Sequence, residues 1–243
     1  MIRMMVATMA LALTMTAFGQ EKPAPAANLR LHVAASNADA KDLLNAKPAA
    51  WNEAKPTEVL LNRTPRVYQT EPTTPRPAPK LEARAIRSGD KLFIQLQWDD
   101  ATKNAPQAPP KKTGAGGDAA KIYKRPTGET SAFPDAAAVM MPQNPQGAFP
   151  SLAMGDKNNP VRIFYWNASR GTQELASTGR AMQKPVGRDF PHHADHANGK
   201  WTVVLQLPDQ PEGCPIAFAV WDGEHQDRDG LKFFSIWYVL TNK

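Results

Sequence analysis

The stretch LEARAIRSGDKLFIQLQWDD, residues 81–100, constrains the fold more than any other part of the chain. Two runs flank the turn residues Ser88, Gly89 and Asp90, and the second puts Leu92, Ile94, Leu96 and Trp98 on one face at strict period two. A period of two belongs to a strand, since a helix would repeat every 3.6 residues. The segment therefore predicts a β-hairpin with one buried face. The pattern recurs in NLRLHVAA (Leu29, Leu31, Val33) and in KWTVVLQL at 200–207 (Trp201, Val203, Leu205, Leu207). TEVLLN and VRIFYW (161–166) read as further strands, and PIAFAVWD (215–222) is nearly apolar throughout, as expected of a central strand covered on both faces. KFFSIWYVL (232–240) reads as a last strand, with Lys232, Phe234, Ile236, Tyr238 and Leu240 on one face. Phe233, Ser235, Trp237 and Val239 fall on the other. Sustained amphipathic helices are absent; only 135–141 and 172–183 could form short ones. The expected class is mainly β: an antiparallel β-sandwich with long loops and a few short helices.

At 243 residues the chain is long enough for one substantial domain. Residues 1–19 read as a secretory signal, with basic Arg3, an apolar run from Met4 to Phe18 and small residues at the cleavage site. Residues 20–28 are Pro/Ala-rich and expected to be disordered, and 29–243 form the domain. No later apolar run is long enough to span a bilayer, so the mature chain is expected in the bacterial periplasm, off the membrane. Removing Arg3 lowers the formal charge from +6 to +5, and basic runs with interleaved aromatics are missing, which argues against nucleic acid. The single cysteine, Cys214, excludes an intrachain disulfide and a CxxCH site for covalent haem; it reads as a small buried residue. Five prolines between 64 and 80 predict an extended connection. Residues 101–134 form a long basic insertion, which reads as a solvated loop or a dock for an acidic partner.

The expected catalytic motifs GxSxG, HExxH, GxGxxG and the Walker loop are absent. Asp99/Asp100 and Asp222/Glu224 lie at strand ends, where solvated turn residues are usual. After signal removal four methionines remain, Met140, Met141, Met154 and Met182, all within one short window. Met154 sits beside Gly155 in a loop before VRIFYW. It reads either as a gap-filling core side chain or as a soft thioether ligand for haem iron or copper. Lys232 stands at the head of the last strand. Its ammonium either snorkels to water or loses its proton through desolvation and binds a metal as a neutral amine. In DFPHHADH, His192 and His196 with Asp195 could grip a metal on a helical turn, although Pro191 points to a surface loop.

The pairing of FPSLAMGDKNNPVRIFYW (149–166) with FAVWDGEHQDRDGLKFFSIWYVL resembles the haem-b-binding gamma subunits of periplasmic molybdoenzymes in the dimethyl sulfoxide reductase family. These include subunits of ethylbenzene and dimethyl sulfide dehydrogenases and of selenate and chlorate reductases, with a lean here toward the chlorate reductase type. LQWDD (96–100) and FPDAAAVMMP (133–142) support the resemblance, which covers roughly 29–243. It implies one non-covalent haem b with Met154 and Lys232 as axial ligands of the iron, Met140 and Met141 being rivals for the thioether. It also implies an electron-transfer subunit, not catalytic by itself. Its partners would be an iron–sulfur beta subunit, a molybdenum alpha subunit and a soluble periplasmic cytochrome c. Two rivals stay open: a carbohydrate-binding module using aromatics such as Trp51, and a periplasmic copper protein using the methionines and the histidine segment.

Overall fold

A computed structural model of the protein describes residues 29–64, 76–106, 133–187 and 189–242. The expected signal, the 20–28 segment, most of the proline-rich connection and most of the basic insertion lie outside the described residues. The elements in chain order are β1 (Arg30–Ala35), α1 (Ala40–Leu44), a 3-10 turn (Pro48–Trp51), β2 (Thr57–Val59), β3 (Leu61–Arg63), β4 (Leu81–Ser88), β5 (Lys91–Asp99) and β6 (Ala136–Pro142). They continue with β7 (Val161–Asn167), β8 (Gly171–Ser177), β9 (Lys184–Pro185), β10 (His192–Ala197), β11 (Lys200–Pro208), β12 (Pro215–Trp221), β13 (Phe233–Ser235) and β14 (Tyr238–Asn242). The protein is mainly β with few helices, as the alternation predicts.

The strands join in one curled sheet with the order β10-β11-β5-β4-β1-β14-β12-β6-β7-β8-β9. The predicted hairpin is β4 and β5, turning at Gly89 with φ 58°. The pairing is not wholly antiparallel, because β1 runs parallel to both β4 and β14. β12 is the hinge of the curl. Its first two residues pair with β14, and the rest pair with β6 on one side, with β13 beside Ala219 and Val220 on the other. The two halves thereby face each other across a core of aromatic side chains. Trp98 stacks on Trp201 at 6.1 Å between ring centres, and Trp166 reaches across edge-on to Trp201 at 5.0 Å. Edge-to-face and offset stacks of this kind add attraction beyond the area they bury.

Three readings need correcting. Residues 135–141 and the start of 172–183 are strands, β6 and β8, with turns and the two-residue β9 after β8. The histidine segment is an edge strand, β10, rather than a loop. The last strand is two. Ser235 Oγ accepts from the Phe218 amide and donates to the Ile236 carbonyl. The chain then leaves the β3/β13 edge and joins β1 and β12 as β14. The break shifts the side-chain phase. Phe233, Tyr238 and Leu240 enter the inner core, while Phe234 and Trp237 pack on the outer face of the sheet.

Candidate functional site

The outer face of β6, β7 and β12 carries Met154 in its packing and has Lys232 at its edge, over the ring of Trp221. Side chains there alternate out of phase with the inner core: Ala138 and Met140 from β6, Ile163 and Tyr165 from β7, Ala217, Ala219 and Trp221 from β12. The register aligns Ala219, Ala138 and Tyr165 in one cross-strand row, flanked by Phe234 of β13. The next row holds Ala217, Met140, Ile163 and Leu175. The middle of the face is therefore an alanine floor, and larger side chains stand around it, many of them half-buried.

Met154 belongs to this face. It packs with Phe149, Leu152 and Trp237 against the same cluster. The loop that carries it is built by polar turn chemistry. Asp156 Oδ1 accepts the amides of Asn158 and Asn159, both at 3.0 Å, and Gly155 N donates to Ser151 O at 2.8 Å. Gly155, at φ 81°, is required: a Cβ there would lie 2.9 Å from Asn159 O. Met154 itself has φ 69°, a left-handed conformation that costs a side-chain-bearing residue roughly 1–3 kcal/mol. Trp237 Nε1 donates to Pro150 O at 2.9 Å and ties the loop to the face, while the Gln183 amide donates to Met154 Sδ.

Lys232 reaches the face from the opposite direction. Its backbone is clamped by Thr64, whose Oγ1 accepts from Lys232 N at 2.9 Å and whose N donates to Lys232 O at 3.0 Å. Its Nζ lies 5.4 Å from the centre of the Trp221 ring, on the rim of the apolar face. Burial lowers its pKa to about 8, helped by the nearby Arg180 cation and opposed by Asp229. Its lowered pKa sets it apart from a freely snorkelling lysine, because part of its population is a neutral amine near physiological pH.

The other candidates separate. Met140 is half-buried on the same outer face, Met141 is buried in the inner core, and Met182 is 52% exposed. On a strand, His192 and His196 stand about 13 Å apart, at roughly 3.3 Å per residue, too far to share an ion. His192 Nδ1 instead lies 3.4 Å from Phe190 O, and His196 Nε2 lies 2.9 Å from Asp100 O. Trp51 is buried, with Nε1 donating to Leu43 O, so it cannot stack on a sugar. Cys214 is fully buried, and burial pushes its thiol up to about 12. Asp100 is buried rather than solvated, unlike its neighbour Asp99. Reading the sequence also missed Gln183, Arg180 and the alanine floor. The run Ala136-Ala137-Ala138 was visible, but only the sheet register shows that Ala138 shares a face with Ala217 and Ala219.

A family profile described as ethylbenzene dehydrogenase matches residues 48–189, more than half of the chain. The chain belongs to that family. It is similar to the chlorate reductase subunit gamma of Ideonella dechloratans, 33% identical over 214 residues that cover 82% of this chain and 80% of the relative. A Haloferax mediterranei protein provisionally named a respiratory nitrate reductase heme subunit is 27% identical over 78% of this chain. The match spans 64% of that longer relative. Among solved structures, a protein from Bacteroides uniformis provisionally assigned as carbohydrate-binding superposes with a TM-score of 0.51 at 10% identity. That alignment covers 88% of this chain and 99% of the other, and at this identity the likeness is one of fold alone. The member of the ethylbenzene dehydrogenase family described here thus carries a thioether on its outer apolar face and a desolvated amine at the edge of that face.

Proposed function

We propose that this chain is a periplasmic electron-transfer subunit that holds one non-covalent haem b on the outer face of β6, β7 and β12, with Met154 and Lys232 as the two axial ligands of the iron. The observation that carries the reading is that Met154 packs in the outer-face cluster while Lys232 Nζ lies 5.4 Å from the ring of Trp221, a partly buried residue of the same cluster. The donor set suits the group. Ala138, Ala217 and Ala219 put small side chains in the middle of the face, nearly buried under the larger ones around them, so a flat macrocycle would need only those surrounding side chains to move aside. Phe149, Tyr165, Trp221 and Phe234 offer apolar and aromatic walls. When bound, haem b supplies one-electron exchange.

The protein's own residues set the conditions for that exchange. Met154 offers a polarizable sulfur, a soft neutral donor that favours the reduced metal. Lys232 binds only after losing its proton, and the same burial that lowers its pKa makes the loss cheap. Two neutral ligands add no negative charge to stabilise the ferric state. Held by Met154 and Lys232 together, the haem iron would offer little room for oxygen or small substrates, which fits a relay and not a catalyst.

Electrons would pass between an iron–sulfur beta subunit, itself connected to a molybdenum alpha subunit, and a soluble cytochrome c. The relatives' names support this role: one is a reductase subunit gamma and another a heme subunit. The similarity to a chlorate reductase subunit makes an oxyanion reductase the favoured parent complex. Protein made with its own leader in a haem-replete host tests the reading. The expected product is a periplasmic protein with sharp reduced-state α and Soret bands whose haem is extracted by acidic organic solvent. Colourless, correctly folded protein from such a host would refute it.

A further inference from the structure

Three strand ends bring a carboxylate each to one corner of the molecule, away from the alanine floor. Asp100 follows β5, Asp135 precedes β6 and Asp222 follows β12. One oxygen from each lies within 4.8 Å of the other two. Asp135 is completely buried, Asp100 is 6% exposed, and Asp222 is half-buried.

The hydrogen bonds at this corner are unequal. Asp135 is well supplied: Gly223 N donates to Oδ1 at 2.9 Å, and Asn104 N and Trp201 Nε1 donate to Oδ2 at 2.7 and 3.0 Å. Asp222 accepts from Arg76 at 2.8 Å, from the His225 amide at 3.2 Å, and lies 2.7 Å from His225 Nδ1. Asp100 has Thr102 on Oδ1 only, through its amide at 3.2 Å and its hydroxyl at 3.3 Å. Asp100 Oδ2 is buried with no hydrogen-bond partner among the described residues. A buried carboxylate oxygen without a donor is costly, and two further carboxylates beside it add repulsion. Burial first, then Asp135 and Asp222, raise the Asp100 pKa to about 6. Burial likewise raises that of Asp135.

A proton on Asp100 would remove one of the three charges and leave the other two carboxylates facing each other. A cation would offset all three. We infer that Asp100, Asp135 and Asp222 form a binding site for a divalent cation of the calcium class. The donors are all carboxylate oxygens, hard ligands suited to calcium or magnesium and poorly matched to copper. The corner is closely built around them: a Cβ at Gly223 would fall 1.7 Å from Phe133 O, so only glycine fits after Asp222. The site links the 100–104 turn and the start of β6 to the 222–230 loop. That loop runs from Trp221 to the base of Lys232, and Trp221 Nε1 donates to Asp229 O within it. A bound cation would thus fix the segment that positions the lysine, although the site itself does not depend on what the lysine binds.

Trp201 provides the probe, since its indole donates directly to Asp135. Full-length protein treated with chelator and titrated with terbium should show tryptophan-sensitised emission, reversed by calcium. Calcium at saturation should raise Tm on the order of 5 °C over chelator. Asp100→Asn should weaken the terbium signal at least about tenfold and abolish the calcium shift. Its own Tm in chelator should equal or exceed that of the wild type, since a buried charge is gone. Asp222→Asn serves as a second variant should Asp100→Asn misfold, with the same loss expected. Absent terbium emission together with an unchanged Tm would overturn the site. So would an undiminished calcium response in a folded Asp100→Asn or Asp222→Asn protein.

Discussion

The two faces of the same three strands, β6, β7 and β12, are built on opposite plans. Toward the inner core, Ala137, Val139, Met141, Phe164, Trp166, Ile216, Phe218 and Val220 are all 2% exposed or less, and Trp166 closes against Trp98 and Trp201. Toward the outside, Ala138, Ala217 and Ala219 leave the centre low, while Met140, Tyr165 and Trp221 remain half-buried. A protein interior is normally filled to crystal density by its own side chains. The inner face obeys that rule. The outer face has the hydrophobic composition of an interior, yet Met140, Tyr165 and Trp221 on it stay partly open to solvent, and apolar patches of this kind mark sites that something else covers.

The contrast can be broken from either side. Trp166→Ala should cost about 3–5 kcal/mol of unfolding free energy in chemical denaturation, because the ring fills an interior that cannot collapse around its loss. Lys232 gives the next effect. Between pH about 8 and 10.5 the unfolded chain holds a proton on this side chain that the folded protein does not. Stability of the haem-free protein should therefore rise with pH across that window, by no more than about 3 kcal/mol, and the gain should vanish as pH falls to 8. Lys232→Met should flatten that part of the profile in pH-dependent denaturation. Ala219→Phe, in the centre of the floor, should lower the stability of the haem-free protein by about 1–3 kcal/mol and prevent haem uptake in a titration. Gln183→Leu should be smallest in stability, about 1 kcal/mol or less for one hydrogen bond to sulfur. Its clearer readout should be a shift in the visible absorption of the ferric, haem-loaded protein.

How much of this could be read from the sequence follows from which signals are local. The β4–β5 hairpin was legible because alternation and turn residues are both local properties. β6 was mistaken for a helix because alanine favours helices, but alanine here is chosen for its size: the strand pairs on both sides and must stay low on its outer face. The end of the chain read as one strand because its phase was followed across Ile236. The break at Ser235 depends on a hydrogen bond to Phe218, which no local pattern reveals. Met154 and Lys232 were singled out by residue type and motif, but their common face rests on the β12–β13 register and on a loop tied by Trp237. The buried state of Asp100 was hidden for the same reason, since its neighbours Asp135 and Asp222 are remote in sequence.

The central claim is that one iron is held between Met154 and Lys232. Electron paramagnetic resonance of the ferric protein tests it most directly, on the wild type beside Met154→Ala and Lys232→Ala. A low-spin signal in the wild type that turns high-spin in each variant, with haem still bound, is the predicted result. A low-spin signal that survives both substitutions unchanged would place the ligands elsewhere and contradict the account.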